Sequence, residues 1–289
     1  MHSVNSHGFL LIDKEPGLTS AAVISRIKKK FHLDKIGHAG TLDPFATGLL
    51  VALVGNATRL SDYVMGGRKV YSGIIALGAS SSTDDCTGTL TTVLPPKDDF
   101  SEDEIQLTIN QRFLGEIEQI PPQVSAKKVK GKRAYELARE NQVFELSPSN
   151  ILIEEFTVKQ VSSLQYSFMV TCGKGTYIRA LARDIGVAVG TGGILNSLRR
   201  EESDPFSVKD AKKLDDIEIS DILPWWSIFS SLMSHQVSAS DMEKLSHGNN
   251  TPLQKIVSDE PRLLLCDELN APKGLAQKQN GEWRRIFWI

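Results

Sequence analysis

Three side chains of types that do acid–base or nucleophilic chemistry are Asp43, His38 and Arg179, and each has an ordinary structural explanation when taken singly. Asp43 precedes Pro44, and Asp-Pro commonly opens a turn. A lone histidine is more often structural than catalytic, and Arg179 falls in a helical stretch where a solvated arginine is unremarkable. Asp84 and Asp85 are adjacent carboxylates, the groups that glycoside hydrolysis uses in pairs. They lie between Ala79 and Thr92, a stretch rich in Ser, Thr, Asp and Gly, so they read as solvated loop residues. Cys86, Cys172 and Cys266 are too scattered for paired zinc ligands or a disulfide framework.

The elements that would position these groups follow from the apolar pattern. Gly8 to Ile12 reads as a short strand closed by Glu15-Pro16-Gly17. Thr19 or Ser20 then caps a helix in which Val23, Ile24, Ile27 and Phe31 recur at helical spacing. Residues 36–48 carry glycines, a proline and threonines and read as an ordered loop. Gly48 to Gly55 is apolar but far below the roughly 20 residues that span a bilayer, so it reads as a buried strand. Lys69 to Leu77 is a further strand, and Ser101-Glu102-Asp103-Glu104 matches a capping box opening a helix through Ile105, Ile109 and Phe113. Strands at Ile151 to Lys159 and Tyr166 to Cys172 precede a helix from about Thr176 to Val189. Interleaved strands and helices indicate a mixed α/β domain ending near Phe229. Beyond it, a short helix, Leu263 to Asp267 and the Asn280-Gly281 turn signal indicate a small β-rich tail domain.

Composition sets outer limits. Of 289 residues, 40% are hydrophobic and 24% charged, as in soluble globular proteins. The start, MHSVNSH, lacks signal-peptide features, so a cytoplasmic protein is expected. A net charge of −2 and a pI near 6.3 require any nucleic-acid site to be a local basic patch. Two segments qualify. Arg26, Lys28, Lys29, Lys30 and Lys35 form one, and Lys127, Lys128, Lys130, Lys132, Arg133 and Arg139 the other, although either could be a solvated face.

Context changes the reading of the single residues. His38 to Leu50, HAGTLDPFATGLL, resembles the GH-x-G-x-LDP-x-ATG-x-L signature of the TruB pseudouridine synthases. Leu11 to Ser20 is similar to that family's N-terminal motif, Lys69-Val70-Tyr71 to its K-x-Y strand, Gly173 to Arg179 to its K-G-T-Y-I-R motif, and Leu198-Arg199-Arg200 to its closing L-R-R. These occur in the family's order over about residues 8–210.

The resemblance implies an α/β (α+β) pseudouridine synthase fold with a mixed, mainly antiparallel central sheet. It implies a catalytic domain over residues 8–228 after a flexible start at 1–7, and a PUA-like domain over 229–289. Asp43 is implied as the essential aspartate, Tyr71 as the ring against the target base and Arg179 as the partner of Asp43. His38 would fill the space left by an extruded nucleotide, Leu198 would line the uracil pocket, and Lys14, Arg59 and Tyr177 would lie near the RNA. The segment around 120–150, with Lys127, Lys128, Lys130, Lys132 and Arg133, is similar to the thumb insertion of stand-alone bacterial members, which closes on the T-loop of tRNA.

The implied chemistry suits these types. Detaching uracil, turning it and rejoining it through carbon changes no oxidation state, so neither cofactor nor metal is expected. A carboxylate near the anomeric centre is needed, either to attack C1′ or to remove the C2′ proton, and an arginine beside it lowers its pKa. The base must first be flipped out of the folded loop. The expected partner is therefore the T-stem-loop of tRNA, at uridine 55, with no guide RNA, membrane or obligate protein partner. The competing readings are a guide-dependent relative, which generally lacks the insertion, an RNA-folding chaperone without chemistry, and the glycosidase of the Asp84-Asp85 pair.

Overall fold

The unbroken apolar run after Gly48 becomes the strand around which the larger layer is built. A computed structural model of the chain describes residues 7–93, 99–125, 127–129, 132–134, 137 and 144–289, with only the backbone of Lys128, Val129, Lys132 and Arg133. Lys130 and Arg139 of the second basic segment, and all but the last residue of the expected flexible start, lie outside the described residues.

The principal strands are β1 (Gly8–Lys14), β2 (Ile36–His38), β3 (Thr47–Val54), β4 (Lys69–Leu77), β5 (Gly115–Gln119), β6 (Ser149–Ser162), β7 (Gln165–Cys172) and β8 (Gly193–Ser203). They lie side by side as β1-β3-β8-β4-β7-β6-β5, with β2 on β3 and Lys212–Lys213 at the outer edge of β1. Among the strand pairings of this sheet in the described residues, those of β3 with β8 and of β1 with Lys212–Lys213 are parallel and the rest antiparallel. The sheet is therefore mixed and mainly antiparallel, as expected.

β3 is apolar at successive positions because both of its faces are covered. Leu50, Ala52 and Val54 join a core completed by Val23, Ile24 and Ile27 of helix α1 (Ser20–Lys30) and by helices α3 (Glu102–Arg112) and α4 (Ile178–Ala188). Leu49, Val51 and Leu53 join a second core with Phe9, Leu11, Trp225 and Phe287. The short α2 (Ser61–Gly66) lies between β3 and β4. Local signals explain where helices begin. Thr19 accepts from the Ala22 amide at 3.0 Å, and Ser101 and Glu104 make both halves of a capping box.

A second sheet of four strands, β9 (Ser234–Gln236), β10 (Arg262–Cys266), β11 (Pro272–Gln279) and β12 (Glu282–Trp288), follows helix-poor chain, with α5 (Ala239–Ser246) between its first two strands. Asn280 and Gly281 take φ of 52° and 83°, the positive pair that a tight hairpin needs. Trp225 is 1% exposed and packs on Phe287 with ring centroids 4.6 Å apart, so the smaller sheet is seated on the second core of the larger one. Burying such a ring contributes about 1.5–3 kcal/mol. Among the described residues no helix is long and apolar enough to cross a membrane.

One expectation is corrected. Residues 36–48 are not wholly loop, because Ile36–His38 pair with Val54–Ala52 and Thr47 already belongs to β3. The loop proper is 39–46, and both of its ends belong to one sheet, with His38 opposite Ala52 and Thr47 at the start of β3.

Candidate active site

The 39–46 loop is held almost entirely through its backbone. Ser20 Oγ accepts from the Leu42 amide at 2.9 Å and donates to the Leu42 carbonyl at 3.0 Å, while the Gly17 amide donates to the Pro44 carbonyl at 2.8 Å. The Ala46 amide donates to the Asp43 carbonyl at 3.1 Å, closing a β-turn with Pro44 in its second position. Asp43 is thus a turn initiator as its sequence suggests, and the turn leaves its carboxylate available for another use.

That carboxylate faces Arg179, in the first turn of α4. Arg179 Nε lies 2.9 Å from Asp43 Oδ2 and its Nη2 donates to Oδ1 at 3.3 Å, a two-pronged contact. The guanidinium also donates to the carbonyls of Thr83 (2.9 Å) and Val124 (3.0 Å), which aim it. The helix start is fixed by Gln119, whose side chain accepts from the Tyr177 amide at 2.9 Å and donates to the Tyr177 carbonyl at 3.0 Å.

A second carboxylate stands on the far side of Arg179. Asp85 Oδ2 is 3.7 Å from Arg179 Nη1, and Asp85 Oδ1 accepts from the Thr83 hydroxyl (2.7 Å), the Thr87 amide (2.9 Å) and the Thr87 hydroxyl (2.6 Å). Asp84 pairs with Arg183 at 3.0 Å, one helical turn further on. The solvated reading of this pair is therefore wrong: Asp85 is only 3% exposed and both groups are engaged with arginines. The Ser/Thr-rich composition that suggested a wet loop supplies the hydroxyl donors that allow Asp85 to be buried.

The electrostatics of Asp43 run against the simplest expectation. Burial pushes its carboxyl above the ordinary range, Arg179 opposes this, Asp85 adds to the rise, and Lys14 works against it. The arginine acts in the expected direction, but desolvation outweighs it. Tyr71, on β4, is also raised by burial, against the influence of Arg200. It is a neutral phenol at physiological pH.

Comparison with known proteins decides the family. The sequence pattern of the TruB family pseudouridylate synthase N-terminal domain matches residues 28–178, more than half of the chain. A protein of Bartonella henselae named tRNA pseudouridine synthase B is 42% identical, covering 98% of this chain and 96% of that protein. One of the same name from Rhodospirillum rubrum is 36% identical over 88% of this chain and 85% of that protein. The chain belongs to the TruB family. The fold agrees: the crystal structure of a Cbf5-Nop10-Gar1 complex contains a chain that superposes with a TM-score of 0.66 and 24% identity, covering 94% of this chain and 78% of that one.

The family's motif positions are distributed unevenly around Asp43. Arg179 touches it, and Tyr71 and Lys14 lie close enough to influence its charge or feel it. Lys14 is 1% exposed and donates to the carbonyls of Glu15 (2.9 Å), Pro44 (3.1 Å) and Ala46 (2.7 Å). With all three hydrogens used, it anchors the loop that carries Asp43. His38 is half-buried with Nδ1 unpaired, and burial followed by the nearby Arg200 lowers its pKa. Leu198 is buried on β8 and, with Pro16, Phe45, Thr47 and Gly73, lines a cleft of about 460 Å³. Tyr177 is the N-cap of α4. Arg59 stands apart, in the turn after β3 and near Arg285 of the smaller sheet.

In the expected insertion, Lys128–Val129 pair with Lys132–Arg133 as a short antiparallel ribbon. Lys127 donates to the Ser147 carbonyl at 2.9 Å and to the Ser149 hydroxyl, so it ties the insertion to the start of β6. Sequence reasoning missed three residues that build this site: Asp85, Gln119 and Arg200. For Arg200 a signal existed, since strand alternation puts it on the same face as apolar Leu198.

Proposed function

We propose that the chain is an isomerase that converts uridine to pseudouridine in the T-loop of tRNA, at uridine 55. The observation that carries this reading is the Asp43–Arg179 pair, a partly exposed carboxylate held by two prongs at the head of α4. The name shared by the relatives, tRNA pseudouridine synthase B, supports tRNA as the substrate. Residues 8–228 carry the chemistry, and 229–289 form an accessory PUA-like domain.

The extruded uridine enters with its anomeric carbon toward Asp43. The ionised carboxylate either attacks C1′ or removes the C2′ proton, and in both routes the bond from C1′ to the base nitrogen breaks. Uracil turns against the ring of Tyr71 and the side chain of Leu198, and its C5 joins C1′. As C5 joins C1′ the bond from C1′ to Asp43 breaks, or in the second route Asp43 returns its proton to C2′, so the carboxylate is regenerated. The C5 proton is then taken up by Tyr71 or by Asp43 through water and passes on to the uracil N1 that lost its bond to the sugar, so that atoms and charge balance with nothing added. His38, neutral and only half-buried, takes the space of the flipped nucleotide. The insertion, with Lys128, Lys130, Lys132 and Arg133, grips the phosphates of the T-stem. The protein acts in the cytoplasm, alone, without guide RNA, cofactor or metal.

The test is incubation of the purified chain with an unmodified tRNA transcript in excess EDTA and no second RNA, followed by mapping of pseudouridine. One pseudouridine per tRNA in the T-loop is expected, and none when that uridine is replaced by cytidine. A requirement for metal or guide, or no product, would overturn the reading.

A further inference from the structure

Arg199 and Arg200 are neighbours on β8 with opposite surroundings. Arg199 is partly exposed, with its charge met by Asp13 at 3.0 and 2.9 Å and by Glu201 at 3.4 Å. Arg200 is only 2% exposed. Its Nε donates to the Leu49 carbonyl at 2.7 Å and its Nη2 to the Gly40 carbonyl at 3.1 Å, and it stands opposite Tyr71, its register partner on β4, whose hydroxyl feels its charge. All of these acceptors are neutral, and no carboxylate of a described residue pairs with it. Its charge depresses the pKa of both His38 and Lys69, though burial is the larger cause for each.

A buried cation without a counter-ion is costly, so its retention asks for a compensating role. The two oxygens it binds belong to the beginning of the loop that carries Asp43 and to β3 at the loop's other end, and the strand register sets it beside the aromatic ring of Tyr71. A guanidinium can serve both oxygens because its donors are fixed in one plane. Gly40 is matched to this arrangement. Its φ is +92°, which favours glycine, and a Cβ there would stand 3.2 Å from Arg200 Nη1 and press on the guanidinium.

We propose that Arg200 is a positioning residue for the isomerisation: one buried guanidinium sets the Tyr71 ring and the Gly40 end of the catalytic loop in fixed relation, so that Tyr71 and Asp43 meet the same base from set directions. This rests on the reaction proposed above. Arg200 acts through Tyr71 and the loop and touches no reacting atom.

The experiment is a double-mutant cycle on single-turnover pseudouridine formation, with tRNA affinity and Tm measured alongside. Arg200→Gln should slow the bound reaction by about 10- to 100-fold, the worth of hydrogen bonds from a charged donor, with affinity within about threefold of wild type. Arg200→Lys should recover only part of this, because an ammonium cannot keep the planar fork. In a Tyr71→Phe background Arg200→Gln should cost no more than about threefold, since the hydroxyl that feels its charge is already gone. A residue that merely supports the fold would cost the same factor in both backgrounds, and that result overturns the proposal. Should the Arg200 variants not fold, Tyr71→Phe and Gly40→Ala decide with Arg200 intact. Each should lower the bound rate about tenfold with affinity retained, and a wild-type rate in either overturns the proposal. Wild-type protein that forms no pseudouridine at all would instead remove the functional reading on which this inference stands.

Discussion

Replacing Arg179 by Met removes the cation from between two carboxylates and leaves the side-chain volume nearly unchanged. The lost contact is a two-pronged, charge-assisted pair at 2.9 and 3.3 Å, and hydrogen bonds to charged groups contribute about 1.5–3 kcal/mol. One third of the Asp43 side chain is solvent-accessible, so water makes good part of the loss. The lower half of that range, about 1.5–2 kcal/mol, is therefore appropriate and corresponds to a roughly 10- to 30-fold slower single-turnover reaction at neutral pH. The pH dependence has a definite sign. The proposed reaction needs ionised Asp43, and burial already places its pKa above the ordinary carboxylate value. Without Arg179, and with Asp85 still nearby, the anion is harder to form, so the acid limb of the rate profile moves to higher pH. The deficit should be largest on the acid side and shrink as pH rises. Arg179→Lys should restore the charge but not the second prong, giving an intermediate rate. The assay is single-turnover pseudouridine formation at saturating protein over about pH 6 to 9. A Met variant that matches wild type throughout, or whose deficit is constant across pH, would refute the role given to this pair.

Asp43→Asn should abolish product formation by a factor on the order of 10⁴ or more while tRNA affinity survives. The same variant should melt at a higher temperature than wild type at neutral pH: a carboxyl whose folded pKa is raised favours folding below its unfolded pKa and loses that contribution as pH rises through the folded one. The difference in Tm should close on acidification. Asp85→Asn should slow the reaction about tenfold by loosening Arg179, yet move the acid limb to lower pH because a repelling charge next to Asp43 is gone. Neutralising Lys127, Lys128, Lys130 and Lys132 together should weaken tRNA binding and flatten its salt dependence, whereas Lys127→Ala alone should act mainly through its ties to Ser147 and Ser149. Salt titrations of affinity separate the two, and an unchanged slope in the quadruple variant would make the cluster a solvated face.

How much of this was legible in the sequence depended on whether a residue's partners lie close in the chain. The turn at Asp43, the caps at Thr19 and Ser101 and the Asn280-Gly281 hairpin are set by neighbours a few positions away, and each is found where local chemistry puts it. The pairing of Asp43 with Arg179 spans 136 positions and was available only through motif resemblance. Where local composition was the guide and the partner was distant, the reading failed. Asp85 looked wet because its neighbours are polar, but those same neighbours, with Arg179 from another element, satisfy it in the interior. For Lys14 the motif implies a place near the RNA, and no local pattern shows that its acceptors are carbonyls up to 32 positions away.

The same division explains how the site can tolerate a carboxylate in an unfavourable environment. Burial raises the Asp43 pKa, and a loop free to move would relieve that by swinging the group into water. It cannot swing, because Ser20, Lys14, Gly17 and Arg200 hold successive backbone groups of the loop from four directions without touching the carboxylate. Position is thus fixed by main-chain contacts, and ionisation is set chiefly by one guanidinium that Asp43 shares with Asp85, with a smaller contribution from Lys14. Separating the two functions lets the charge on Asp43 respond to an incoming base while its location stays constant. It also means that variants of Ser20 or Arg200 and variants of Arg179 should differ in kind: the first should lower the bound rate evenly across pH, and the second should reshape the pH profile. An Arg200 variant whose deficit shrank with rising pH as that of Arg179→Met should would show that the separation drawn here is false.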